Sequence, residues 1–246
     1  GGVVADPLGW LARRGRSPQS LSRAFAHLAE LVARSAEQNP THRPVRVDLR
    51  PHHEAGASAV EELGIALGAG VDALRELSEA GHPLADLPRR MEFVFALDAD
   101  IFVGVAKLRA ARLLWSKVLR ALGVDGPEQG MRIATRTSER GLSRLDPYTN
   151  LLRGTAAAFA GVVGGAERIT VVPHDAVSGD APTPHAERLA RNVQLLLRWE
   201  SHLDRVRDPA GGSYYVEHLT DALARRGWAI FQEIDHLGGV ARGLLD

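Results

Sequence analysis

An α/β fold built from parallel βα units is predicted by three observations. Four short apolar segments, at 45–50, 91–97, 131–135 and 168–172, have the length and character of strands. Helical spacing of apolar residues follows each of them, and strands separated by long helices are the signature of a parallel sheet. The 246 residues hold only four such units, half of what closes a (β/α)8 barrel of about 250 residues. The sheet is therefore either open and flavodoxin-like or a partial TIM-type (β/α)8 barrel. Its unpaired edges predict a protein partner that supplies or covers the missing half. Residues 1–44 read as an N-terminal loop and helix, and 45–246 as the half-barrel domain with C-terminal helices.

Pro7, Gly9 and Gly15 make Asp6–Gly15 a loop with a single helical turn. Ser17 as N-cap and Pro18 at the first position open a helix through Leu21, Phe25, Leu28 and Val32, ending near Asn39-Pro40. Val45 to Arg50 alternates with period two, and Pro51 ends that strand. A long helix then runs from Val60 to Leu77 behind Gly56 and Ser58. Its three glycines, each costing about 1 kcal/mol of helix propensity relative to Ala, predict close packing against a neighbour. Met91–Leu97 is the second strand, followed by a helix from Ile101 to Leu122. Met131–Thr135 is the third, followed by a helix opened by Asp146-Pro147 or Asn150 and reaching Val163. Arg168–Val172 is the fourth. A Pro- and Gly-rich loop leads from it to a helix over 186–206 with Leu189, Val193, Leu196, Leu197 and Trp199 facing inward. Tyr214-Tyr215-Val216 reads as a short extended piece before a last helix from Leu219 to Ile234.

Thirty basic side chains balance thirty acidic ones, so nothing global argues for nucleic acid or an anionic membrane surface. The absence of cysteine excludes thiolate chemistry and Cys-ligated metal, and fits a cytoplasmic location. Apolar runs fall far short of the ~20 residues that span a bilayer.

The densest polar cluster is Arg50-Pro51-His52-His53-Glu54, at the C-terminal end of a strand, where barrel chemistry normally sits. On extended backbone His52 and His53 point to opposite sides, and with Glu54 they fail the HExxH spacing, so polar lining of the barrel mouth is the stronger reading. Glu92, Asp98 and Asp100 offer general acid–base carboxylates. Pairing of Glu92 with Arg46, Arg50 or Arg90 is the stronger reading, and helix capping explains Asp98 and Asp100 equally well. The basic residues of Lys107–Arg112 read as a solvated helix face or a subunit salt bridge. Gly164-Gly165 and Gly211-Gly212-Ser213 do not sit between strand and helix as a phosphate loop requires.

Five stretches carry a resemblance. They are Glu54-Ala55-Gly56-Ala57, the run from Ala106 to Trp115, the run from Asp146 to Arg153, the run from Ala190 to Leu197, and the run from Asp208 to Glu217. In that order they resemble the methylmalonyl-CoA mutase family over the second half of its substrate-binding barrel, strands 5 to 8. The resemblance implies an adenosylcobalamin-dependent isomerase assembly that interconverts methylmalonyl-CoA and succinyl-CoA, with cobalamin held by a separate domain whose Asp-x-His-x-x-Gly motif does not occur in this sequence. No cofactor is expected on this chain alone.

At the reactive positions the chain departs from the family. The catalytic Tyr-His pair falls on Arg50 and Pro51, with His52 and His53 displaced from it. A carboxylate-gripping Gln falls on Arg136, ahead of Thr137 and Ser138, and a His-Thr-Asn run on Thr170-Val171-Val172, with Pro173-His174 next. Arg90 matches an arginine that contacts CoA. These departures resemble the small, non-catalytic subunit of the heterodimeric bacterial enzyme, a structural chain beside a catalytic mutase subunit. Two alternatives stay open. One is a catalytic component completed by a partner chain, with acyl-CoA lined by Arg50, His52, His53, Arg90, Arg136 and His174; the other is a half barrel repurposed as a binding scaffold.

Overall fold

The computed structural model describes residues 3–16, 19–124, 126 and 130–244. Four strands form one sheet in the order β1-β2-β3-β4: β1 (Val45–Asp48), β2 (Met91–Leu97), β3 (Ile133–Thr137) and β4 (Arg168–Thr170). β1 pairs parallel with β2 from Val45↔Met91 to Asp48↔Val94, and β3 pairs parallel with β4 from Ala134↔Arg168 to Arg136↔Thr170. Sequential strands that pair in parallel need a helical crossover at every step, so the strand order is that of successive βα units. The expected partial-barrel class is therefore observed. All of β2 is buried, as in a parallel strand covered on both faces.

The helices are α1 (Pro7–Arg14), α2 (Leu21–Gln38), α3 (Arg50–Glu54), α4 (Ala59–Glu79), α5 (Ile101–Ala121), α6 (Thr149–Val163), α7 (Pro184–Trp199), α8 (Tyr214–His236) and α9 (Val240–Gly243). None of them, among the described residues, is long and apolar enough to cross a membrane. The chain divides into two compact units, one of residues 1–94, 111–132 and 224–246, the other of 95–110 and 133–223.

In the first unit, α4 begins with a full capping box. The Ser58 side chain accepts from the Glu61 backbone N–H, and the Glu61 carboxylate accepts from the Ser58 N–H at 2.7 Å. Three glycines mid-helix let neighbours approach, as their placement predicts. A Cβ at Gly68 would stand 2.8 Å from Val240 Cγ2, and one at Gly70 2.7 Å from Trp115 Cζ3. Trp115 and Phe93 are fully buried and meet edge to face at 4.9 Å. In the second unit Ala158, Val171, Ala190, Val193 and Leu197 form the core between α6 and α7. Lys107 of α5 is buried there, its ammonium donating to the Ala96 carbonyl at 2.8 Å, so it is no part of a solvated helix face.

Several local expectations are corrected. Asp6–Gly15 is not a loop: Asp6 caps a two-turn helix by accepting from the Gly9 N–H at 2.8 Å, with Pro7 in its first turn and Gly15 left-handed at its end. Ser17 and Pro18 lie outside the described residues; the cap observed on α2 is Ser20, which accepts from the Arg23 N–H. β1 stops at Asp48, and Arg50–Glu54 is a helical turn with Pro51 at its start, a position where proline lacks no needed donor. β3 lies two residues further on than expected, because Arg136 continues the pairing with β4. α7 ends at Trp199, and Leu196 and Trp199 face solvent. Tyr214 to Val216 are the first turn of α8, not an extended piece: the Glu217 N–H bonds the Ser213 carbonyl at 2.8 Å, closing the helix despite the β propensity of the tyrosines.

The cap on α1 carries a pH dependence. Asp6 accepts from the Gly9 and Asp48 backbone N–H groups, each at 2.8 Å, yet burial, with Asp48 nearby, pushes its carboxyl up to about 7. The folded state then holds a proton that the unfolded chain releases near 3.8. Asp6 therefore contributes stability in full below about 4, and loses it as pH rises through about 7. Asp6→Asn is expected to flatten the fall in thermal midpoint between pH 5 and 8; an unchanged slope in a pH series of melts overturns this assignment.

Candidate functional site

The turn after β1 is built on Asp48, which is buried and carries the charge of two arginines. Arg50 approaches it with Nε and Nη2 at 2.8 and 2.6 Å, and Arg13 Nη2 stands at 2.9 Å. Burial works to raise the Asp48 carboxyl, but the hydrogen bonds and charge of Arg50, backed by Arg13, hold it below the usual carboxylate range. The two-pronged contact fixes the Arg50 guanidinium against the protein's own carboxylate. One residue on from Pro51, His52 is half-buried; desolvation lowers its pKa against the charges of Glu62 and Asp48, which leaves the ring neutral at pH 7.

His53 lies inside the protein. Its Nδ1 is 2.8 Å from the Glu62 carboxylate, and both side chains are at most 3 % exposed. The helical turn puts the two histidines about 100° apart rather than on opposite sides as extended backbone would. They still share no ligand: one is held by Glu62, the other is partly open to solvent.

Arg90 immediately precedes β2, and its guanidinium donates to the Pro40 carbonyl at 2.9 Å from a buried position. Because Asp48 is level with Val94, Arg90 sits four residues, roughly 13 Å, from the strand end that carries Arg50. The structure does not bring these two together. Glu92 pairs with Arg46 at 3.3 Å across β1 and β2, the structural alternative weighed for it, and Asp100 caps α5 by accepting from the Val103 N–H at 3.1 Å.

The other two candidates belong to the second unit. Arg136, on β3, is held by Glu139 at 2.5 Å and remains partly exposed. His174, four residues beyond β4, is buried; its ring stacks on Tyr148 at 5.1 Å, and its Nδ1 has no hydrogen-bond partner among the described residues. Asn150 holds this region together. Its amide donates to the Ser143 and His174 carbonyls at 2.9 and 2.8 Å, and its oxygen accepts from the Ser143 N–H and from Arg153.

Two clamps went unread in the sequence. Arg109 of α5 pairs with Asp208 and with Glu217, the latter at 2.7 Å, and Glu217 also accepts from the Gly212 N–H at 3.0 Å. Arg109 is therefore a tie within the chain rather than part of a solvated helix face. Asn150 is the second. Both lie inside motifs singled out above, and the only hint was a polar residue at fixed offset within an otherwise apolar or turn-forming run.

Among the described residues no group of three or more His, Asp or Glu side chains is placed to hold a metal ion. A corrinoid needs an axial base free to reach its metal; His53, buried and held by Glu62, does not fit that role.

Parallel βα units whose strand-end charges are tied largely to one another define a barrel-type α/β scaffold. The family model for methylmalonyl-CoA mutase matches residues 1–245, and the chain belongs to that family. A methylmalonyl-CoA mutase small subunit of Streptomyces virginiae is 46% identical over 244 residues, which cover 99% of this chain and 39% of that protein. The small subunit of Propionibacterium freudenreichii subsp. shermanii is 38% identical over 240 residues, 98% of this chain and 37% of that one. A methylmalonyl-CoA mutase of Escherichia coli (strain K12) is 34% identical over 218 residues, 88% of this chain and 30% of that protein. The chain thus spans less than two fifths of the length of these relatives, and it is a small-subunit homologue.

Proposed function

We propose that this chain is a structural, non-catalytic part of a cobalamin-dependent methylmalonyl-CoA mutase-like isomerase, acting beside a catalytic subunit. The observation that carries the reading is Arg50. The resemblance places the catalytic Tyr-His pair on Arg50 and Pro51, and the Arg50 guanidinium is bound to Asp48 at 2.8 and 2.6 Å. A guanidinium does not deprotonate in proteins and proline has no titratable group, so neither replaces a phenol and an imidazole in proton transfer or radical steering. β4 is the edge on which a further barrel strand would pair, since the outward N–H groups of Arg46 and Asp48 on β1 are taken by the Ala5 carbonyl and the Asp6 carboxylate, and the companion is the subunit that keeps the reactive pair.

The test is Arg50→Met in the assembled two-subunit enzyme, assayed with adenosylcobalamin and methylmalonyl-CoA. Turnover is expected to stay within about twofold of the parent, because the lost interactions are internal to this chain. The small subunit by itself is expected to show no turnover. A fall in kcat/KM of about a hundredfold at unchanged stability would mean that Arg50 grips substrate, which favours the catalytic alternative.

A further inference from the structure

The second unit contains a cavity of about 330 Å3 at the C-terminal ends of β2 and β3, at the low end of the range for small-ligand sites. It lies on the Thr137 side of β3. Side chains alternate along a strand, so Arg136, the position the family resemblance assigns to substrate, faces the other way and is not among its lining residues.

Both signs of charge line the cavity. Asp98, Asp100 and Arg153 of α6 are among its lining residues. None of the three is fully engaged by the protein. One oxygen of Asp100 accepts from the Val103 N–H, and the other has no partner among the described residues. Asp98 has only a long contact to Arg140, at 3.7 Å, beyond its bond to the Asp100 N–H. Arg153 donates to Asn150 Oδ1 at 3.0 Å through a single Nη, and the rest of its fork has no acceptor among the described residues. Thr137 also lines the cavity; it is 4% exposed, and its oxygen accepts from the Val172 N–H at 2.8 Å. Leu97 and Leu142, with Gly154 and Ala157, form the apolar part of the lining.

A carboxylic acid alone would face two aspartates, and an amine alone would face Arg153; each leaves one sign uncompensated in a partly desolvated site. We propose that this cavity binds a compact zwitterion, an α-amino acid with an aliphatic side chain. Its carboxylate takes the donors of Arg153 and Thr137, its ammonium the oxygens of Asp98 and Asp100, and its side chain packs on Leu97 and Leu142.

The test is calorimetric titration of the complete small-subunit polypeptide with L-leucine, and in parallel with 4-methylpentanoate and 3-methylbutylamine, which each keep one of its charges. Saturable binding of L-leucine is expected, with both counterparts at least about tenfold weaker. Asp100→Asn, which keeps the α5 cap, is expected to weaken binding about tenfold. Absence of saturable binding by L-leucine at millimolar concentration, equal binding of a singly charged counterpart, or an unchanged affinity in Asp100→Asn overturns the proposal. None of these outcomes touches the assay of Arg50→Met, so the cavity and the subunit role fail or stand separately.

Discussion

Glu62→Ala is expected to destabilise the protein by about 3–5 kcal/mol, the largest single-residue effect in the β1 region. Glu62 is 1% exposed and its Oε1 lies 2.8 Å from His53 Nδ1, itself in a side chain 3% exposed. Removing the carboxylate leaves a buried imidazole without the group that receives its Nδ1 proton, and a cavity besides. The pair as a whole contributes far less than its loss suggests, because desolvating both groups offsets most of their attraction. His53→Leu combined with Glu62→Met, two apolar groups of similar bulk, should therefore recover most of what Glu62→Ala loses. Denaturant midpoints of the two variants decide it. A Glu62→Ala midpoint within about 1 kcal/mol of the parent would mean that water reaches the pair and that the α3 turn is not locked.

That turn also marks the limit of what could be read in advance. β1, β2 and α4 were legible because each has a strong local signal: alternation from Val45, a run from Met91 that is apolar except for Glu92, and Gly56 and Ser58 ahead of periodic leucines. Arg50–Glu54 was not, since five residues are too few for a period to show, and Pro51 ends a strand as readily as it starts a helical turn. The same holds for α1, where proline and two glycines look like a loop until Asp6 is placed on the Gly9 N–H. At Tyr214-Tyr215 local propensity pointed to a strand, and the start of α8 is instead set by Glu217 bonding back to the Gly212 N–H.

The candidate site divides on similar grounds. That Glu92 pairs with Arg46 and that Asp100 caps a helix followed from the types of residue and their register. Which partner occupies Arg50 did not, because Asp48, Arg13 and Asp6 meet only through α1, an element the sequence pattern hid. The buried His53–Glu62 pair joins α3 to the first turn of α4. Neither residue carries a marker that separates it from the half-buried His52 and the exposed Glu61 beside it. For the motifs that carry the family resemblance, the structure supplies a physical reason at Arg109 and Asn150: both tie loops to helices within the chain, which a scaffold requires whether or not it performs chemistry.

Replacing glycines of α4 by alanine separates helix propensity from packing, because the two effects have opposite sign. In an open helix the change gains about 1 kcal/mol. At Gly70 the new methyl would stand 2.7 Å from Trp115 Cζ3 and 3.1 Å from Phe93 Cζ, two rings with no exposed surface into which to retreat. At Gly64 it would stand 2.8 Å from Ile230 Cβ and 3.2 Å from the Phe231 backbone nitrogen, atoms that move only if α8 moves. Overpacking of this kind costs about 1–3 kcal/mol, more where backbone is involved, so both variants should lose net stability, on the order of 1–2 kcal/mol each. Gly154→Ala in α6 is the matched control: its nearest neighbour is at an ordinary 3.6 Å, and it should gain up to about 1 kcal/mol. Urea midpoints of the three variants at equal m-value test the sign at each site. If Gly70→Ala is as stable as the parent, the Phe93–Trp115 contact yields, and α4 does not owe its position to the missing side chain. If all three gain, glycine in this helix reflects something other than close approach.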